Sequence, residues 1–169
     1  MNGILAQNWQ EKLYLALLNA IGVSLIYFTP ALSHLFSFPV YYLEPMRIMM
    51  FIGLAFMNRK SVYFIALSLP FFSYLISAHP SIIKSGLIAF ELVINAWLFY
   101  FLFERNGNKL QSAFFSLILS KLLYYSLKYL FIFATLLSAE LISTPVYIQI
   151  FIAVALSIFL AATKKAESN

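Results

Sequence analysis

The chain is a succession of long apolar runs divided by short polar connectors, and that alternation restricts its fold more than any other feature. A helix that crosses a bilayer needs about 20 predominantly apolar residues. Runs near that length span 13–28, 41–57, 62–78, 82–103, 110–138 and 146–162. The connectors Asn58-Arg59-Lys60, His79-Pro80, Glu104 through Lys109 and Ser143-Thr144-Pro145 are polar or carry Pro or Gly, residues that interrupt helices. Thr29-Pro30 closes the first run, so the apolar stretch Pro30 to Pro39 is expected to be a loop packed on the outer surface. The second run is interrupted near its start by Glu44, Pro45 and Arg47. With 63% hydrophobic and only 10% charged residues, the chain holds more apolar surface than a soluble domain of this size can hide. The expected fold is an all-α integral membrane protein, a bundle of six transmembrane helices forming a single membrane domain over residues 1–169.

Orientation follows from the cations. When connectors are assigned alternately to two sides, Lys12, Arg59, Lys60, Arg105, Lys109, Lys164 and Lys165 all fall on one side and no connector Lys or Arg falls on the other. Positive charge stays on the cytoplasmic face, so both termini are expected there. The first run is followed by Tyr27-Phe28-Thr29-Pro30 and not by a small-residue cleavage site, so it reads as a helix and not a signal peptide. The net charge of +5 is spread over short connectors, unlike the clustered basic face that binds nucleic acid. The chain has no cysteine and no aspartate and only two histidines, which removes thiolate chemistry, disulfides and most acid/base constellations. No enzyme activity, cofactor or metal is expected.

Several ionisable groups fall inside the runs: Glu44, Arg47, Lys84, Glu91, Lys121 and Lys128, together with Asn95. Each costs a few kcal/mol at bilayer depth, so such groups usually face a partner or a cavity. On the fourth helix Lys84, Glu91 and Asn95 fall within about 20° of one line, and on the fifth Lys121, Tyr125 and Lys128 share a face. Glu44 and Arg47, three apart, can touch. Depth places Glu44, Arg47 and Lys84 in the outer third, with Glu91 and Lys121 near the middle. The expectation is an outer-half polar pocket built from Arg47, Lys84, Glu91, Asn95, Lys121 and Tyr125, with His79 at its mouth. Counting Lys84 and Lys128, these groups carry a surplus of positive charge, which would favour an anionic ligand. Snorkelling of Lys84 and Lys128 to the interface, or a purely structural Glu44–Arg47 or Glu91–Lys121 pair, would explain the same residues without a ligand. Ala16, Ala20 and Ser24, four apart on the first helix, form a small-residue ridge on which another helix can pack closely, within the chain or outside it.

The stretch Ala16-Leu17-Leu18-Asn19-Ala20 matches an Ala-x-x-x-Ala motif, and it stands in a chain of the right length and helix count. The segments Glu44-Pro45-Met46-Arg47 through Arg59-Lys60 to Leu69-Pro70, His79-Pro80-Ser81-Ile82-Ile83-Lys84 through Glu91-Leu92-Val93-Ile94-Asn95, and Ser120-Lys121-Leu122-Leu123-Tyr124-Tyr125 extend the likeness. Together they resemble the substrate-binding S component of an energy-coupling factor (ECF) transporter, the vitamin-uptake branch of the ABC transporters. The resemblance implies a non-enzymatic subunit of a prokaryotic cell membrane that binds a vitamin-like molecule on the outer side. It implies docking, through the small-residue face of the first helix, onto a membrane coupling subunit that carries two ATPases. The chain has no Gly-x-x-x-x-Gly-Lys-Ser/Thr loop of its own. Two other classes fit the same pattern: a small scaffold of the cell-wall elongation machinery, and a self-contained proton-coupled transporter using Glu91 as its titrating carboxylate.

Overall fold

The computed structural model describes residues 2–77, 81–138 and 140–163. Among them the chain is helical, without strands: α1 (Asn2–Leu35), a 3-10 turn (Val40–Leu43), α2 (Pro45–Phe56), α3 (Arg59–Ser77), α4 (Ile82–Asn106), α5 (Lys109–Phe133) and α6 (Val146–Ala162). Three of these are long and apolar enough to cross a membrane: α1 over Trp9–Leu35, α4 and α5. The protein is therefore a helical membrane protein. Its surface suits lipid, with Leu17, Phe71, Leu122 and Phe151 turned outward, while serines 112, 116 and 120 of α5 are fully enclosed. Small residues four apart let helix backbones approach closely in lipid.

Pro30 does not end the first helix, contrary to expectation. α1 continues through it to Leu35. Proline removes one N–H, but a loop here would free many more backbone groups, each costing several kcal/mol away from water. Thr29 and Ser33 flank the proline, their hydroxyls donating to the carbonyls of Leu25 and Thr29 at 2.7 and 2.8 Å. Ser33 Oγ also accepts from Val40 N at 2.9 Å, tying the returning chain to α1.

The second helix starts at Pro45, four residues later than its apolar run. Glu44 sits in the left-handed region (φ 51°) and separates the 3-10 turn from α2. The fifth helix stops at Phe133 and not at Ser138. Thr135 takes a positive φ of 57°, and the amides of Leu136 and Leu137 turn back to the carbonyl of Phe131. The physical cause lies at Lys128, whose buried ammonium draws in the following connector (below).

α2 occupies the centre, packing on α1, α3, α4 and α6. Its Met49, Met50, Phe51 and Ala55 interlock with Val62, Ile65 and Leu69 of α3 and Leu92, Ala96 and Phe99 of α4. α1 lies at the edge, and two of its contacts with α3 are especially close. Gly22 lies so close to Leu69 that an added Cβ would stand 2.8 Å from its Cδ2. Asn19 Oδ1 accepts from Ser68 Oγ at 2.6 Å.

One end of the bundle gathers much of the basic connector set. Glu11 accepts from Asn58 N and Ser61 Oγ, Arg59 pairs with Glu104, and Lys109 Nζ donates to Thr163 O at 2.6 Å. Lys164 and Lys165 lie outside the described residues.

Candidate functional site: a buried ring of four charges

Glu44, Arg47, Glu91 and Lys121 form a closed ring. Arg47 Nη1 meets Glu44 and Arg47 Nη2 meets Glu91. Lys121 Nζ meets Glu44 and also stands 3.4 Å from Glu91 Oε1. Each cation therefore touches both carboxylates, and the ring sums to zero charge. Its members come from the start of α2, the middle of α4 and the middle of α5. The Arg47 and Glu91 side chains are 7% and 5% exposed, too little for solvent to screen them. Arginine suits the corner position because its planar fork can serve two carboxylates at once.

The ring corrects the expected depth of Glu44 and Arg47. Glu91 lies nine residues into α4, about 14 Å along its axis, so the contact of Arg47 with it, and of Glu44 with Lys121 in the middle of α5, brings both charged groups to mid-helix depth and not to an outer third. This is possible because α2 has 12 residues, about 18 Å of helix, and begins inside the bundle. Irregular backbone at such depth is tolerated only when buried in protein. The 3-10 turn before it packs on α1 and α6 on one side, while Tyr41 and Leu43 remain exposed on the other.

A layer beneath the ring is uncharged. Asn95, fully buried one turn inward of Glu91, donates from Nδ2 to Ser120 Oγ at 2.9 Å, and Ser120 passes its own proton to Leu117 O. A layer outside it is cationic. Lys128, 1% exposed, donates to Leu141 O at 2.9 Å and Ser143 Oγ at 3.1 Å. It does not snorkel. Leu141 and Ser143, in the connector after α5, come back to bond it, an arrangement that a helix continued to Ser138 would not allow. The Tyr124 ring lies between the two lysines, 5.9 Å from Lys121 Nζ and 5.8 Å from Lys128 Nζ.

Of the residues singled out in the sequence, Arg47, Glu91 and Lys121 meet in the ring, and Asn95 adjoins it. Tyr125 is half-buried on the same face of α5, near Gln149 of α6. Lys84 is half-buried, seven residues outside Glu91, and joins none of the ring's ion pairs. His79 lies outside the described residues. Glu44 was expected near the site, paired with Arg47 or adding its charge to the cluster. Its link to Lys121, 77 positions away, has no local signal, because it depends on α2 beginning deep. Ser120 was missed as well, although its spacing from Ser112 and Ser116 was legible.

The polar groups converge as ion pairs and not as the walls of an open pocket. Two cavities at the surface of the described residues include no ring residue. One of about 630 Å³ lies at the α4–α5 turn and the end of α6, lined by Asn106, Lys109 and Thr163. The other, of about 570 Å³, is an apolar groove between α3 and α4, lined by Phe64, Phe71 and Gly86 among others. The cationic surplus expected from the sequence also divides: none resides in the ring, and Lys84 and Lys128 stand apart from it.

Ala16, Ala20 and Ser24 all face outward, with Ser24 Oγ bonded to the Ala20 carbonyl at 2.8 Å. The inward side of α1 is instead Leu15, Leu18, Asn19, Gly22 and Val23. The ridge is thus not used for packing within the chain. Comparison with known protein families, curated proteins and solved structures gives no match to this chain.

Proposed function

We propose that this protein is the substrate-specific, high-affinity binding subunit of an ECF-type uptake transporter in a prokaryotic cell membrane. It takes a vitamin-like molecule at the outer side, and ATP hydrolysis comes from partner subunits. The supporting observation is the outward small-residue ridge. In the spanning part of α1 one face packs half-buried on the core, whereas Ala16, Ala20 and Ser24 lie exposed on its free side. A helix with an uncovered face bearing residues that permit close approach is suited to docking a second membrane protein. The charged ring supplies the other half of the reading, because charges held at mid-bundle usually mark a substrate path.

The proposal includes six traverses with both termini cytoplasmic. Its support is the gathering of Glu11, Arg59, Lys109 and Thr163 at one bundle end, with the positive-inside rule giving that end its side. The α2 traverse is completed by the 3-10 turn and the chain before it.

Ala16→Trp tests the docking role. The variant should fold and bind radiolabelled vitamin like the parent, yet fail to copurify with a coexpressed coupling subunit or to support uptake. Copurification undiminished by Trp at both 16 and 20 would remove the ridge as the docking face.

The neutrality of the ring favours a second reading, a membrane scaffold whose charges only lock helices together. A scaffold would bind no vitamin in equilibrium dialysis.

A further inference from the structure

The end of the bundle opposite the α4–α5 turn is crossed by the chain that joins α5 to α6. Lys128 lies beneath that chain, and its ammonium donates to the Leu141 carbonyl at 2.9 Å and the Ser143 hydroxyl at 3.1 Å. Both acceptors are neutral. Among the described residues no carboxylate forms an ion pair with Lys128, and Glu140, in the same connector, is exposed. Like charge on Lys84 and Lys121 opposes the ammonium, and Glu140 and Glu91 support it only from beyond ion-pair reach. A buried cation without a counter-ion is costly, so the arrangement depends on the two connector groups that replace water around it.

Little else fastens the connector. Glu140, Leu141, Ile142 and Ser143 are exposed, and Thr144 and Pro145 are half-buried. Gln149 Nε2 donates to the Thr144 carbonyl at 2.6 Å. On the α5 side Leu137 is buried against Leu87 of α4 and Tyr124 of α5. Thr135 steers the chain there with a φ of 57°, a conformation that β-branched residues rarely adopt and keep only where the surroundings impose it. Segments with few buried apolar contacts are those that open locally at the lowest free energy.

We infer that residues 140–145 form a strap across the seam between α4 and α5, with Lys128 as its catch. When the strap lifts, the ammonium exchanges Leu141 and Ser143 for water, and Leu137 leaves Leu87 and Tyr124. The Tyr124 ring stands between Lys128 and Lys121, so the opened seam leads to the edge of the charged ring. In the orientation proposed above this is the outer side, on which substrate arrives. The opening itself requires no ligand and goes beyond the binding-subunit reading.

The test is the rate at which a water-soluble maleimide labels Leu137→Cys, in the full chain held in lipid nanodiscs; the native chain has no cysteine to interfere. Adding Lys128→Met leaves the Leu141 carbonyl and the Ser143 hydroxyl without their donor in a covered place, and they regain partners by lifting into water. Labelling should be about tenfold faster, the equivalent of one hydrogen bond at 1.4 kcal/mol per decade. Ser143→Ala, a change at an exposed position, removes one of the two bonds and should accelerate labelling about threefold. Ser116→Cys, fully buried in α5, should stay unlabelled in both backgrounds. Labelling of Leu137→Cys that is unchanged or slower overturns the strap, since Met would then pack better than the unpaired cation it replaces. Equal acceleration at Ser116→Cys also overturns it, because the whole bundle would then be opening. Where Lys128→Met does not fold, the Ser143→Ala rate decides. Either failure leaves the binding-subunit reading intact, because no ligand takes part.

Discussion

Removing one member of the ring should cost far more than removing a matched pair. In Glu91→Leu, Arg47 and Lys121 are left with Glu44 alone, so one positive charge stays buried and unpaired. Breaking a buried pair in this way costs about 3–5 kcal/mol. For a chain of this size 1 kcal/mol moves Tm by about 2–4 °C, so Glu91→Leu should unfold about 6–20 °C below the parent. Arg47→Met with Glu91→Leu leaves Glu44 and Lys121 as a neutral pair in contact, and should be more stable than either single variant. Glu104→Leu serves as an internal control. Its pair with Arg59 has side chains 49% and 64% exposed, where an ion pair contributes about 0–1 kcal/mol. The assay is thermal unfolding of the four variants in one detergent, read as a double-mutant cycle. A double variant whose loss equals the sum of the singles would refute the ring as a coupled unit.

Other consequences can be checked directly. Gly22→Val places a branched side chain where even a Cβ would meet Leu69 at 2.8 Å and Met49 at 3.3 Å; it should cost about 1–3 kcal/mol in the same unfolding assay, with Gly22→Ala milder. Asn19→Leu leaves the half-buried Ser68 hydroxyl without its α1 partner, and a loss of about 1–2 kcal/mol is expected. The chain has no cysteine, so single substitutions report sidedness cleanly: in intact cells Phe36→Cys should react with a membrane-impermeant maleimide, whereas Asn108→Cys should react only after permeabilisation. Labelling of both in intact cells would remove the proposed topology.

Helix existence was legible because the apolar runs are long and the connectors carry Pro, Gly and charge. Boundaries failed where a local rule met a tertiary requirement. Pro30 normally ends a helix in water, but α1 passes through it because lipid penalises open backbone. The apolar run after Phe133 looked helical, yet the connector must return to Lys128. Helical phase brought Glu91, Asn95 and Lys121 towards one place correctly, since periodicity fixes direction. Depth was misjudged for Glu44 and Arg47 because hydropathy does not register that α2 begins inside the bundle. Whether the gathered charges leave a surplus was equally illegible, because it depends on which lysines the fold separates from the carboxylates.

The short central helix also constrains how the chain enters its membrane. α1, whose 27-residue stretch Trp9–Leu35 contains a window of mean hydropathy 1.8, is long and apolar enough to cross a bilayer by itself. α2 is not: its 12 residues reach about 18 Å across a core of about 30 Å, and Arg47 would stand there with only Glu44 beside it. Its second counter-charge, Glu91, arrives 44 positions later with α4, and Lys121, the second partner of Glu44, comes 77 positions after Glu44 with α5. In the proposed topology, assembly is therefore expected to depart from stable insertion of helices one by one: α2 should settle only once α4 and α5 are present to surround it.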